Sequence, residues 1–347
     1  MGGAHNEGMT HDDAASRAAS MRDVARVAGV SHQTVSRVLN GHPSIRDSTR
    51  ERVVRAMDEL HYRPNRAARA LVTARSNTIG VLAASAAALY GPVSSMGAIQ
   101  TAGREAGYYV AVAQLADLTE ESIADGIDHL LAQAVEGIVV IAPQERVLDL
   151  IASTGLDVPY VTMQAGDQYA ERELSVDQLA GARAATRHLI DLGHRRIVHV
   201  SGPLGWIEAQ ARLRGYQDEL RASGLDVLSP IRGDWTAQSG YAAGEELLAD
   251  PAITGVFASN DQLALGIMHV ARDRGRDIPG DLSVVGFDDI PEAAHFCPPL
   301  TTVRQDFAEL GRRCVARLVA EIESTAEPHP GNVQPALIVR ASTAPPR

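Results

Sequence analysis

The stretch MRDVARVAGVSHQTVSRVLN, residues 21–40, encodes two short helices joined by a tight turn. Ser20 can N-cap a helix over Met21–Ala28, and Gly29 is the residue type that enters a left-handed turn most easily. Ser31 can then cap a second helix over His32–Leu39. Ala25 is small where the two helices must cross, and Val30, Val35 and Val38 supply apolar contacts. That leaves His32, Gln33, Ser36 and Arg37 on the open side of the second helix. Gln pairs with adenine edges and Arg with guanine edges in a major groove, while Thr34 and Ser36 suit phosphates. On this segment alone, a generic helical hairpin with a solvated polar face stays open as an alternative.

Outward from this core, Val53, Val54, Met57 and Leu60 in a third amphipathic helix over 48–60 can cover the first two. Pro64 breaks that helix, and Asn65 could cap a short Ala/Arg-rich segment that is too short to be helical alone.

Charge divides the chain in the same place. The net charge of −11 looks wrong for a nucleic-acid binder, yet residues 21–76 hold eleven arginines against five acids, 11 − 5 = +6. Residues 1–20 carry −2, which leaves −15 for the remainder. A basic head on an acidic body implies that only the head approaches phosphate. The sequence contains no lysine, which excludes a Walker A motif and a Schiff-base lysine. Its two cysteines, Cys297 and Cys314, read as core thiols of a protein in a reducing cytosol. Residues 1–19 lack the apolar stretch of a secretory signal and read as a mobile tail, and no run is long enough for a membrane span. A cytoplasmic protein is expected.

From Thr78 onward, short apolar β-rich runs alternate with amphipathic helices. Strands are expected at 78–83, 108–113, 137–141, 159–163, 196–200, 255–258 and 282–286. Helices are expected at about 93–106, 120–133, 178–192, 209–223, 239–249 and 261–274. Such alternation implies two α/β lobes of doubly wound parallel sheets, with a cleft where the strands' C-terminal ends meet. Polar residues just past strands are therefore ligand candidates: Asn260-Asp261 and Asp288-Asp289. Each aspartate has a rival role as a helix N-cap. With Arg212 and Trp235 these groups suit a polyhydroxyl ligand: a guanidinium donor, a carboxylate acceptor, an amide and an aromatic face.

The strings Asp23-Val24-Ala25, Ala28-Gly29-Val30-Ser31, Thr34-Val35-Ser36-Arg37-Val38, Asn40 and Tyr62-Arg63-Pro64-Asn65 resemble the head of the LacI/GalR family of bacterial transcription regulators. The resemblance continues to about Arg340, through Gly202-Pro203-Leu204, Asn260-Asp261-Gln262, Ser283 to Asp289 and Pro298 to Phe307. It implies a helix-turn-helix domain at 20–64, a hinge at 65–76, and a two-lobed periplasmic-binding-protein-like core at 77–343 for ligand binding and dimerisation. DNA contacts would fall on Ser31, His32, Gln33, Thr34, Ser36, Arg37, Asn40, Asn65, Arg66, Ala68 and Leu71, with Leu71 wedged into the minor groove at the operator centre. Inducer contacts would fall on Leu89, Pro92, Arg212, Trp235, Asn260, Asp288, Gln305 and Phe307.

Three departures from the family pattern stand out. Ile141 and Gln164 replace cleft Asn and Asp, Gly91 and Val93 lie in a loop of altered length, and His32 replaces a tyrosine. The chain also stops without a C-terminal leucine-heptad helix, so a homodimer is expected. The reading is a DNA-binding repressor released from a pseudo-palindromic operator by a sugar, first a galactoside, with no cofactor and no metal. Its alternatives are a corepressor type answering a purine or other metabolite, and a sugar-binding module without DNA function. An enzyme is disfavoured, because Gly-x-Ser-x-Gly, Gly-x-Gly-x-x-Gly and Cys-x-x-Cys motifs are missing.

Overall fold

A computed structural model describes residues 19–39, 42–63, 70, 75–83, 89–142, 144–163, 173–325 and 331–347. The chain divides into two compact units, 1–76 and 77–347.

The first unit holds α1 (Met21–Ala28), α2 (His32–Leu39) and α3 (Asp47–Glu59). Its boundaries follow local chemistry. The Ser20 hydroxyl accepts from Asp23 N, and the Asp23 carboxylate accepts from Ser20 N at 2.9 Å, closing a capping box. Gly29 turns left-handed at φ 63°, and the Ser31 hydroxyl accepts from Thr34 N at 3.1 Å. Val24, Val35 and Val53 are fully buried with Ala25, Ala28, Val38 and Ala56 around them, each valine contributing roughly 1.5–3 kcal/mol. Val54 points outward instead of covering α1 and α2, because adjacent helical residues lie about 100° apart and Val53 takes the inner position. Asn40, Asn65, Arg66, Ala68 and Leu71 lie outside the described residues.

The second unit contains two sheets. The first has order β2-β1-β3-β4, all parallel, from β1 (Thr78–Ala83), β2 (Tyr109–Gln114), β3 (Gly137–Ile141) and β4 (Tyr160–Thr162). It is flanked by α4 (Tyr90–Glu105), α5 (Glu120–Leu131) and α6 (Glu145–Ser153). The second sheet, of order β10-β9-β8-β7-β5-β6, is built from β5 (Ile197–Ser201), β6 (Ile231–Arg232), β7 (Gly255–Ala258), β8 (Ser283–Asp288), β9 (Thr301–Arg304) and β10 (Ala336–Ile338). Only β10 runs antiparallel among these described strands. Its helices are α7 (Gln178–Asp191), α8 (Ile207–Ala222), α9 (Ala237–Leu247) and α10 (Asp261–Asp273).

The sequence does not signal β6, β9, β10 or α6, since the strands are two to four residues long and too short for an alternation pattern. It also leaves α11 (Phe307–Ile322) unassigned. This helix buries Leu310, Cys314, Val315 and Leu318 in the same apolar cluster as Ile79 and Val139 of the first sheet, although it follows β9 of the second. The chain thus crosses between lobes after β4, again between β9 and α11, and again before β10. Two of these passes lie side by side: Val333 N donates to Ser175 O at 2.8 Å, and Asp177 N donates to Val333 O at 2.9 Å.

Gly91 and Val93, expected in a loop, form the first turn of α4 together with Pro92. Proline is tolerated there because its missing N–H would have had no intrahelical partner. At the other end, Ala344 N donates to the Ser283 hydroxyl at 3.0 Å, so backbone contacts with the core continue past residue 343, and Arg347 makes an exposed ion pair with Asp277 at 3.0 Å. Among the described residues, no helix is long and apolar enough to cross a membrane.

Candidate effector cavity and DNA-reading surface

The strand ends of the two sheets enclose a cavity of about 260 Å³, near the lower bound of small-molecule sites at ~300 Å³. All eight residues assigned to inducer binding line it: Leu89, Pro92, Arg212, Trp235, Asn260, Asp288, Gln305 and Phe307. Ile141 closes one side as an apolar wall, while Gln164 lies outside the described residues.

Arg212 is buried on α8. Its Nε donates to Gln178 Oε1 at 2.9 Å, its Nη1 donates to the Ser259 carbonyl, and its guanidinium stacks 3.9 Å from the Phe287 ring centroid. The remaining nitrogen, Nη2, lies 3.6 Å from Asp288 Oδ1. That oxygen also accepts from Gln305 Nε2 at 2.6 Å, and Gln178 Nε2 donates to Gln305 Oε1 at 2.7 Å. Arg212, Gln178, Gln305 and Asp288 therefore form a closed polar ring drawn from α8, α7, the β9–α11 crossing and β8. Asp288 Oδ2 has no hydrogen bond within this ring and remains to accept from a ligand hydroxyl. Burial pushes the Asp288 carboxyl up to about 6, against the opposing pull of Arg212, and burial likewise lowers the Arg212 guanidinium.

Backbone geometry aims these groups. Asp288 and Asp289 both take positive φ, 110° and 54°, a conformation costing of order 1–3 kcal/mol each unless the surroundings hold it. Asp289 supplies the hold: its carboxylate accepts from Arg304 Nε and Arg340 Nη2, both at 2.6 Å. The two adjacent carboxylates thus serve different partners, one at the cavity and one locking the loop. Asp261, read as a possible helix N-cap, is not one. Asn260 caps α10, accepting from Leu263 N at 2.9 Å, while Asp261 accepts from Ile290 N at 2.8 Å and from the Thr302 hydroxyl at 2.5 Å. Burial raises the Asp261 carboxyl well above the usual range.

Asn260 also donates from Nδ2 to the Trp235 carbonyl at 3.0 Å, holding a residue whose φ is 75°. Much of Asn260's hydrogen-bonding capacity is spent inside the protein, leaving one amide hydrogen for a ligand. Trp235 is buried, yet its Nε1–H finds no acceptor among the described residues, and the Ser175 hydroxyl, in the same cavity lining, has no partner there either. Buried polar atoms without partners are unfavourable by about 1–3 kcal/mol each. A ligand with oxygen acceptors and donors would satisfy both. Gly202 gives the indole its space, since a Cβ there would collide with three ring atoms. Gly202→Ala is therefore expected to displace Trp235, abolish effector binding in isothermal titration and shift the tryptophan emission; unchanged affinity would overturn the packing role of this glycine.

Sequence reasoning missed Gln178, Ser175 and Trp206, all cavity-lining. Gln178 and Ser175 lie in Leu174-Ser175-Val176-Asp177-Gln178, a polar-apolar alternation just before a helix. That signal was available, but the crossing partner Val333 is 157 positions away. The two buried histidines are structural: His199 Nδ1 lies 2.9 Å from the Phe257 carbonyl and burial lowers its pKa to about 3, while His194 contacts Thr254 at 2.9 Å.

On the head, α2 buries Val35 and Val38 and leaves Ser31, His32, Gln33 and Arg37 exposed, with Thr34 and Ser36 half-buried beside them. Gln33 and Arg37 are one turn apart and share a face.

A three-helix head with an open polar helix, carried on the same chain as a two-lobed ligand cleft, defines an effector-responsive DNA-binding regulator. Residues 20–65 match the lacI family of bacterial regulatory proteins, and residues 186–343 match the periplasmic binding protein-like domain. The Escherichia coli lactose operon repressor is 36% identical over 86% of this chain and 84% of its own length. The transcriptional regulator CelR of Thermobifida fusca is 36% identical over 94% and 98%. A solved Lac repressor dimer bound to operator and an anti-inducer superposes with a TM-score of 0.82 at 34% identity, covering 94% of this chain and 99% of that one. A CelR–cellobiose complex gives 0.69 at 32%, covering 93% and 99%. The chain belongs to the LacI family and is a DNA-binding transcription regulator, not an enzyme.

Proposed function

We propose that this regulator is a cytoplasmic homodimeric repressor that holds a pseudo-palindromic operator and releases it on binding a sugar, with a galactoside as the first candidate. The observation that carries the sugar reading is the polar ring of Arg212, Gln178, Gln305 and Asp288 set beside Trp235. It offers an ionised acceptor, fixed donors and an indole face within one cavity. Polyhydroxyl ligands need that combination of directional hydrogen bonds and an apolar ring face. On the DNA side, Gln33 and Arg37 read bases, Ser31, Thr34 and Ser36 position phosphates, and Leu71 is the minor-groove wedge that the family resemblance assigns.

Coupling between the two ligands is reciprocal: a sugar preferring a core conformation that disfavours operator must be weakened by operator to the same degree. Fluorescence anisotropy of labelled upstream intergenic DNA, at fixed salt, tests both halves. Release by at least one galactoside in a panel of lactose, allolactose and galactose is the expected result. Specific DNA binding that none of these sugars changes, but a purine base strengthens, would replace the inducer with a corepressor. That alternative is kept because a PurR repressor of Vibrio campbellii is also a relative, 32% identical over 93% of the chain.

A further inference from the structure

The chain has only two tryptophans, Trp206 and Trp235, and both line the effector cavity. Their ring centroids are 5.5 Å apart with planes inclined by 61°. Trp235 is buried and lies 5.6 Å from the Arg212 guanidinium, whereas Trp206 is half-buried, one further step from the polar ring and closer to solvent. Arg212, Trp235 and Trp206 thus step outward at spacings within the ~4.5–7 Å at which one ring packs against another.

Trp206 stands where local chemistry asks for something else. It is the N-cap of α8 and makes no side-chain cap. Thr119, Asp177, Thr236, Asn260 and Asp306 each cap their helices through side chains elsewhere in the core, whereas Leu89 and Gln144, like Trp206, do not. A capping side chain is worth about 1 kcal/mol over an apolar one, and sites where a local rule is broken without local gain are where function is expected. The loop carrying Trp206 is held in place: its N donates to Pro203 O at 3.0 Å, and Gln210 Nε2 donates to Leu204 O at 2.8 Å.

We infer that Trp206 is a second subsite, a specificity-determining platform for a second ring, and that the effector is a disaccharide and not a free monosaccharide. The inference rests on the sugar reading above. The first ring sits at the polar ring of Arg212 and Asp288 against Trp235, and the second lies against Trp206 with its other face open to the cavity mouth.

The test is isothermal titration of the full-length protein with lactose against methyl β-galactoside, and with cellobiose against methyl β-glucoside, repeated on Trp206→Ala and Trp206→Phe. One disaccharide is expected to bind at least tenfold more tightly than the methyl glycoside of its non-reducing sugar. Trp206→Ala should erase that advantage, with a loss for the disaccharide at least tenfold greater than for the methyl glycoside, and Trp206→Phe should restore most of it. Operator binding by each variant serves as the check on folding. In Trp206→Phe the sole remaining indole, Trp235, should still report the first ring by its fluorescence. Equal losses for both ligands, no loss, or no preference in the wild type would each overturn the second subsite while leaving a sugar effector in place. Specific operator binding with no heat from any of the four sugars would remove the sugar reading and this inference together.

Discussion

Asp288→Asn is expected to leave the repressor bound to its operator in the presence of effector. Asparagine can still accept from Gln305 Nε2, so the polar ring keeps its geometry, but the charge facing Arg212 Nη2 and the ligand is gone. A hydrogen bond to an ionised group is worth about 1.5–3 kcal/mol, so effector affinity should fall by about 10- to 100-fold. Operator affinity without effector should not change. Arg212→Ala removes more. It strips the donors to Gln178 and Ser259, the stack on Phe287 and the counter-charge of Asp288. Leaving a buried carboxylate without its partner destabilises by about 3–5 kcal/mol, which lowers Tm by roughly 10 °C at this size. Calorimetry and effector titration together distinguish the two variants; retained induction by Asp288→Asn would sink the assignment of this carboxylate. The pH response follows from the raised carboxyl. Because its folded value of about 6 lies above the ordinary 3.8, protonation relieves a cost in the folded protein. Stability is therefore not lost as pH falls through 6. What is lost is the ionised acceptor, so wild-type effector affinity should decline below about pH 6 and that of Asp288→Asn should be flat over the same range.

The second large effect falls on the head. Gln33→Ala and Arg37→Ala each remove a side chain exposed on α2, at a position able to pair bidentately with a base edge. Each is expected to weaken specific operator binding by about 1–3 kcal/mol, or roughly 5- to 150-fold. The double variant should approach nonspecific affinity. Neither residue belongs to the core of Val24, Val35 and Val53, so melting of the head should stay within about 0.5 kcal/mol of wild type. Anisotropy on operator and on scrambled DNA checks this. Gln33→Ala should leave the scrambled affinity alone, whereas Arg37→Ala, which also removes a positive charge, should lower both and reduce the salt slope by about one. Equal affinity of wild type and double variant for operator would show that α2 does not read bases.

Whatever depends on neighbours within a few residues was legible along the chain. The capping box of Ser20 and Asp23, the left-handed Gly29 and the Ser31 cap place α1 and α2 to the residue. The apolar runs of β1, β3 and β7 read correctly because fully buried parallel strands are apolar throughout. Asn260 and Asp288 were legible because polar residues directly after such strands have few other places to go, whereas Gln305 came from the family resemblance alone. How those residues divide their work emerged from the folded packing. Asn260 and not Asp261 caps α10, Asp289 locks the loop that aims Asp288, and Gln178 closes the polar ring across a separation of 127 residues to Gln305. It also decided that α11, which follows a strand of one lobe, packs on the other, and that Trp206 faces the same cavity as Trp235. The physical reason is range: caps and turns are satisfied within one helical turn, whereas a buried polar group takes its partner from whatever the fold brings near, and no local pattern encodes that choice.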